Sequence, residues 1–396
     1  MKLLVFSSLY PNPVEPHHGV FVANRLLRFL QRHDAQALVV APVPLAPPVG
    51  PARWTELRAI PAVEQRDGLT VLHPRWPSPP GFGDRWRGAL MAAGVRRALL
   101  AAARDWQPDL FDVHYAFPDG AAAARLRPRL ERALGRRLPS TLTCRGTDLN
   151  LLPDLPAVRP EVQRALASAD HVICVAAALR TVALELGQAP ERVTTLRNGV
   201  DLEVFSPGDR AAARAALGLP QQGRIVLCVG HLIERKGQHL LLPAFAQSLA
   251  RSDPGAQLVF VGRGEAEPGL RARAQQLGLA ERVRFVPPVP PAELVSWYRA
   301  ADVMVLASSR EGWPNVVLEA LACGTPVLAT RVWGTPEILN GCAAGLLVEL
   351  SQQGLAEGLS QLDQLDPQAA RPWAEAHGWD ETLDGMADVF AQVLSA

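Results

Sequence analysis

Short apolar runs of strand length alternate along this chain with longer stretches of helical periodicity. Residues 2–7 (KLLVFS) form the first run; after a loop over 8–19, residues 20–29 repeat apolar positions at the spacing of a helix. Residues 109–113 and 140–144 are strand-like, 171–175, 176–186 and 193–196 complete a β-α-β unit, and the Asn198-Gly199-Val200-Asp201 turn closes the first half. The second half repeats the pattern, with apolar runs at 225–229, 258–261, 283–286, 303–307, 326–330 and 346–348, and a last helix over 381–394. Strands alternating with helices in this way predict an α/β chain.

The densest unit is residues 303–337, VMVLASSREGWPNVVLEALACGTPVLATRVWGTPE. Gly312 and Pro314 break the apolar run, and Pro314 suits the first turn of a helix, where a missing N–H costs nothing. Gly324 stops that helix and a second run follows, so a helix N-terminus points out beyond the carboxyl end of the first strand. Free N–H groups and the positive end of the helix dipole suit a phosphate there without any basic side chain. Glu311 in the loop and Glu319 in the helix flank the place. A carboxylate is repelled by pyrophosphate, but its two oxygens accept well from vicinal hydroxyls. Carboxylates on both sides of a phosphate site therefore fit a nucleotide sugar, with ribose and hexose either side of the diphosphate. Two glutamates at this spacing are an ordinary surface pattern on their own; the strand-loop-helix context gives them meaning.

Size and composition narrow the field. At 396 residues the chain suits two domains, each with its own core, and a net charge of +1 implies no global pull towards nucleic acid. The first nine residues are too short for a signal peptide and read as a buried strand, and no segment has the ~18 uninterrupted apolar residues of a membrane span. Five scattered cysteines fit reduced, buried thiols; none has zinc-ligand spacing and there is no D-x-D, so metal-independent chemistry is expected. The first loop lacks Gly-x-Gly-x-x-Gly, which counts against a nicotinamide dehydrogenase. Residues 42–80 are rich in proline and read as a long, semi-rigid excursion suited to acceptor recognition. Two basic stretches, 84–106 and 125–137, are either solvated faces or a patch for anionic lipid. Lys236 is one of only two lysines among 40 basic residues, and in a β-α loop it suggests that a compact ammonium is wanted.

The run E-G-W-P-N-V-V-L-E-A from Glu311, followed by C-G-T-P-V and W-G-T-P-E, resembles the donor-site signature of retaining glycosyltransferases of family 4, the glycosyl transferases group 1 seen in exopolysaccharide and teichuronic-acid-type biosynthesis. The resemblance covers nearly the whole chain, more strongly in the second half. It implies the GT-B fold, two Rossmann-like β/α/β domains facing a central cleft. It places Glu311 on the donor sugar, Glu319 on the ribose hydroxyls, Lys236 on the pyrophosphate and His114, after the 109–113 strand, at the reaction centre. Gly19 would lie against the donor phosphates from the other side of the cleft. Gly230, Gly262, Gly312, Trp313, Pro314, Asn315 and Val316 complete the donor-binding set it implies. One departure is V-G-H-L where the family has V-G-R-L: His231 replaces an arginine, so either Arg235 substitutes or His231 is protonated when donor binds. His17, His18, Arg145 and Asp148 are the acceptor candidates.

The expectation is a cytoplasmic glycosyltransferase, working at the inner face of the membrane if its acceptor is lipid-linked. It would move a hexose from a nucleoside diphosphate sugar to a hydroxyl of a glycan or lipid-linked precursor. No cofactor, metal or nucleic acid is expected, and UDP, GDP and ADP donors stay open. With no covalent nucleophile in view, front-face attack aided by the departing phosphate is implied, with Glu311, Lys236 and His114 as the catalytic set. The expected domains are 1–204 for acceptor, 205–372 for donor with a linker over 205–222, and a helix over 373–396 crossing back to the first. Trp379 is the expected core anchor of that helix. A GT-B epimerase or phosphorylase, or a non-catalytic sugar-nucleotide-binding protein, are the alternatives.

Overall fold

A computed structural model describes residues 1–47, 52–78 and 84–396, so residues 48–51 and 79–83 of the proline-rich excursion lie outside the described residues. The chain divides into two compact units, Met1–Asn198 with Asp380–Ala396, and Gly199–Trp379.

Unit 1 is built on β1 (Lys2–Phe6), β2 (Gln36–Val40), β3 (Val43–Pro44), β4 (Val63–Arg66), β5 (Leu69–Leu72), β6 (Arg75–Trp76), β7 (Leu110–His114), β8 (Ser140–Cys144), β9 (His171–Cys174) and β10 (Val193–Thr195). Its main sheet has the order β10-β9-β8-β7-β1-β2-β5-β4, parallel except for β4 against β5. Leu3, Leu4, Val5 and Phe6 are all fully buried, as a central parallel strand with both faces covered requires. The helix Val20–Arg32 packs on the last helix, Asp380–Ser395, with Phe29 and Phe390 edge to face at 5.1 Å. Leu383, Met386, Val389, Phe390 and Val393 anchor that last helix, while Trp379 is only half-buried and lies in the other unit, because the apolar face of the helix begins four residues later, at Leu383.

The excursion is more structured than its prolines suggest. It carries a helix, Ala52–Ala59, and a β4–β5 hairpin turning at Asp67-Gly68, both with positive φ. The basic stretches are helices, Arg87–Trp106 and Ala121–Leu134, the second with Pro128 inside it. Arg125 pairs with Glu161, and Arg127 and Arg137 share Asp170, so half of the arginines between 125 and 137 have a carboxylate partner.

Unit 2 holds a parallel sheet of β11 (Ile225–Val229), β12 (Gln257–Val261), β13 (Val283–Val286), β14 (Val303–Leu306), β15 (Val327–Thr330) and β16 (Gly345–Val348), in the order β13-β12-β11-β14-β15-β16. β11 and β14 sit side by side at its centre, where the strand order reverses. The boundaries fall at 198/199 and 379/380, not at 204/205 and 372/373. Val200 N–H donates to the His377 carbonyl, and the Arg371 guanidinium holds the carbonyls of Leu202, Phe205 and Ala322, so residues 200–205 belong to unit 2. The expected linker at 205–222 contains a helix, Arg210–Leu217, capped by the Asp209 carboxylate and ended by Gly218 in the left-handed region. Among the described residues no helix is long and apolar enough to cross a membrane.

Candidate active site

In unit 2 the chemistry gathers at the carboxyl ends of β11, β12 and β14. The loop after β11 opens with Gly230 and ends with Gly237, whose φ is +71° and whose added Cβ would lie 1.9 Å from the Ala307 carbonyl oxygen. Gly262, after β12, comes so close to Gly230 that a Cβ would meet its carbonyl oxygen at 2.0 Å. These loops are therefore packed backbone to backbone, and only glycine fits between them.

That packing brings Lys236 to Glu311: Nζ donates to Oε1 at 2.6 Å, and both side chains are mostly buried. Arg235 donates to the Arg310 carbonyl at 2.9 Å, and Ser309 N–H donates back to the Arg235 carbonyl at 2.8 Å, so the Lys236 and Glu311 loops are stitched together. His231 is exposed, and its carbonyl accepts from the buried Gln238 amide at 3.0 Å. Arg235 is half-buried and fixed against the Glu311 loop.

The helix Asn315–Ala322 follows, with Pro314 at its N-cap and Trp313 buried beside it; Gly312, Asn315 and Val316 are half-buried. Glu319 is half-buried on this helix, and burial pushes its carboxyl up to about 7, against the opposing effect of a hydrogen bond from Tyr298. The Tyr298 hydroxyl donates to Oε2 at 2.8 Å. Tyr298 is one of three tyrosines in the chain and sits at a core position of the helix Pro291–Ala300, where periodicity alone marks it as packing; the hydroxyl is the signal that it has a polar partner.

In unit 1, His114 ends β7 and is buried. The Arg145 guanidinium donates to its Nδ1 at 3.0 Å, and its Nε2 lies 3.2 Å from Asp112 Oδ2. A guanidinium only donates, so Nδ1 must accept and the ring proton sits on Nε2, facing Asp112. Burial lowers the pKa of His114, with Asp112 opposing, which favours the neutral ring. Asp112 also accepts from Thr141 Oγ1 at 2.8 Å, and burial lowers the Arg145 guanidinium to about 10, still a cation at neutral pH. Arg145 lies over the Phe21 ring at 5.3 Å and reaches Asn198 Oδ1 at 3.3 Å.

Asp148 is fully buried, and its carboxylate accepts from the backbone N–H groups of Ala116, Arg145 and Gly146, so it shapes the 145–148 loop. Gly19, at φ +65°, starts the helix Val20–Arg32 hard against Leu9, where a Cβ would sit 2.2 Å from the carbonyl carbon. A cavity of about 600 Å³ opens beside it, lined among others by His18, Arg53, Trp54, Trp76, Arg87 and Tyr115. His18 reaches it, with Nε2 3.1 Å from the Ser8 carbonyl oxygen; His17 is exposed, and neither it nor Arg145 or Asp148 lines the cavity. Asp112 and the tryptophans were not legible as site residues, since a lone Asp in an apolar strand and aromatics in a proline-rich loop carry no spacing motif. Among the described residues no group of three or more His, Cys, Asp or Glu side chains could hold a metal ion.

Two units with parallel sheets and glycine loops at the strand ends define a GT-B glycosyltransferase fold. The chain superposes on sucrose-phosphate synthase from Thermosynechococcus elongatus with a TM-score of 0.80 at 21% identity, each chain covered in full. It superposes on Anabaena HepE in complex with UDP and glucose at 0.73 and 20% identity, covering 99% of this chain and 100% of the other. Residues 209–377 match the family described as Glycosyl transferases group 1, and residues 19–204 match Glycosyltransferase Family 4. The D-inositol 3-phosphate glycosyltransferase 1 of Catenulispora acidiphila is 35% identical over 360 residues, 85% of this chain and 84% of that one. A D-inositol 3-phosphate glycosyltransferase of Saccharomonospora viridis is 38% identical over 225 residues, 52% of each chain. The chain belongs to glycosyltransferase family 4.

Proposed function

We propose that the protein transfers a hexose from a nucleoside diphosphate sugar to an acceptor hydroxyl, with retention of configuration and without metal. The observation that carries this is the Lys236–Glu311 pair, held at 2.6 Å at the centre of the unit 2 sheet ahead of a helix N-terminus and Glu319. An ammonium and a carboxylate this close suit the junction between diphosphate and sugar: Lys236 offsets charge on the leaving phosphate while Glu311 accepts from sugar hydroxyls. Glu319 takes the ribose. Arg235 supplies a second positive group beside Lys236, and the loops at Gly230 and Gly262 let the diphosphate approach the backbone.

In unit 1 the acceptor is assigned to the 600 Å³ cavity, with the half-buried Trp54 indole for a sugar ring and Arg53, Arg87 and His18 for polar groups. His114, neutral and fixed in one tautomer, is the proposed catalytic histidine, oriented by Arg145 and Asp112. An acceptor of glycan or lipid-linked type, met at the inner face of the membrane, remains the proposed setting; the paired arginines of 125–137 favour a solvated surface over a lipid patch.

Thermal unfolding of wild type and Lys236→Ala with UDP, GDP, ADP and NAD, with and without magnesium, tests the donor site. At a hundredfold excess over Kd, ligand stabilises the native state by about 2.7 kcal/mol, a rise of roughly 5–10 °C for a unit of this size. A metal-independent rise with one nucleoside diphosphate, absent in the variant, is expected. No response to any diphosphate, or a response to NAD alone, overturns the assignment.

A further inference from the structure

We propose that Tyr298 is a positioning residue for nucleotide recognition, turning Glu319 so that one chosen carboxylate oxygen meets the ribose. The inference rests on Glu319 as the ribose ligand, as proposed above, and adds what makes that glutamate selective.

Tyr298 is fully buried, its ring edge-on to Phe205 at 6.1 Å and its carbonyl held by Thr325 Oγ1 at 2.7 Å, so its hydroxyl has a fixed place. That hydroxyl donates to Glu319 Oε2 at 2.8 Å. Burial raises the phenol well above its ordinary value, so the proton stays on oxygen and the direction of the bond is set: phenol gives, carboxylate takes. Two consequences follow for Glu319. Its Oε2 is committed, which leaves Oε1 as the oxygen with free acceptor capacity, in one orientation. The bond also favours the ionised carboxylate against the burial that raises it, and only the ionised form accepts at both oxygens. A phenylalanine would fill the same space and do neither.

The ionisable groups facing this pair are Cys228, from β11, and Cys323, at the end of the helix Asn315–Ala322, both thiols pushed up to about 12 by burial, with Arg299 and Arg371 acting on Cys323 in the opposite direction. None of these changes charge between pH 6 and 8.

The test compares UDP, GDP and ADP with their 2′-deoxy counterparts by calorimetry on wild type, Tyr298→Phe and Glu319→Gln. Wild type is expected to prefer the ribonucleotide by about tenfold or more, the worth of a hydrogen bond to a charged group. Tyr298→Phe, with its unliganded midpoint near wild type, is expected to lose most of that preference while still binding the deoxy form as wild type does. Full preference in Tyr298→Phe would show the tyrosine to be packing only and would overturn the proposal. Full preference in Glu319→Gln would instead remove the ribose assignment, and no binding of any of the three would remove the donor site itself.

Discussion

Lys236 and Glu311 are the two groups whose separation is most informative, and a double-mutant cycle on them tests site and stability together. At 2.6 Å, the gross Coulomb attraction at an effective dielectric of 20 is about 6 kcal/mol, much of it offset by taking both ions out of water. Removing one partner of a buried pair strands the other charge and costs about 3–5 kcal/mol. Lys236 keeps 16% of its side-chain exposure, which lets some water in and places Lys236→Met near 3 kcal/mol. The midpoint of thermal unfolding should fall by roughly 6–12 °C. Glu311→Gln should cost less, because the lysine left behind can reach solvent. The double variant should be no worse than Lys236→Met alone, giving a coupling of about 2 kcal/mol. Titration of each variant with UDP, GDP or ADP completes the experiment, and both variants carrying Lys236→Met should bind tenfold or more weakly. A coupling below about 0.5 kcal/mol together with unchanged nucleotide affinity would refute the reasoning.

Three further outcomes are expected. Asp119 is fully buried and accepts from the Ser8 backbone and, at 2.8 Å, from its hydroxyl, yet burial raises its pKa from 3.8 to about 7. The native state therefore binds its proton more tightly than the unfolded chain, and this contribution to stability, about 4 kcal/mol, is lost as pH rises from about 4 to 7. Urea unfolding across that range should show the fall in wild type and a flatter profile in Asp119→Asn. Gly237→Ala combines a left-handed φ with a clash against the Ala307 carbonyl, so its midpoint should fall at least as far as that of Lys236→Met, with the nucleotide response gone. Phe390→Ala opens a cavity under the last helix against Phe29 and should cost about 3–5 kcal/mol, read as a lower urea midpoint for unit 1 with nucleotide binding in unit 2 retained.

The parts of this molecule that were legible from its sequence are those where local chemistry and global placement agree. Glu311, Pro314 and Glu319 declare a strand-loop-helix unit because glycine, proline and apolar runs each force one backbone outcome. The helix Arg210–Leu217 was hidden as a linker because it is short and rich in alanine and arginine; Asp209 and Gly218 were its markers, a cap and a stop with eight residues between them. β2 lay in plain view as QALVV after the first helix, and the β4–β5 hairpin was marked by Asp67-Gly68 amid prolines that suggested irregular chain. Tyr298, Asp112 and Arg145 belong to another category. Tyr298 and Arg145 meet partners 21 and 31 residues away through tertiary packing, which no period or spacing encodes, while Asp112 shares a strand face with His114 two residues on, a pairing that an apolar run hides.

The division of the chain into Met1–Asn198 with Asp380–Ala396, and Gly199–Trp379 between them, has a consequence for synthesis. Domains ordinarily fold as they leave the ribosome, the N-terminal one first. Here the strands of unit 1 are translated first, but the helix that packs on Arg25 and Phe29 is translated only after all of unit 2. At 5–20 residues per second, unit 1 waits roughly 10–40 s for its final piece, and unit 2 reaches its complete sequence earlier. The order of maturation is thus reversed relative to the order of translation, and Phe29 lacks its Phe390 partner for the whole of that interval.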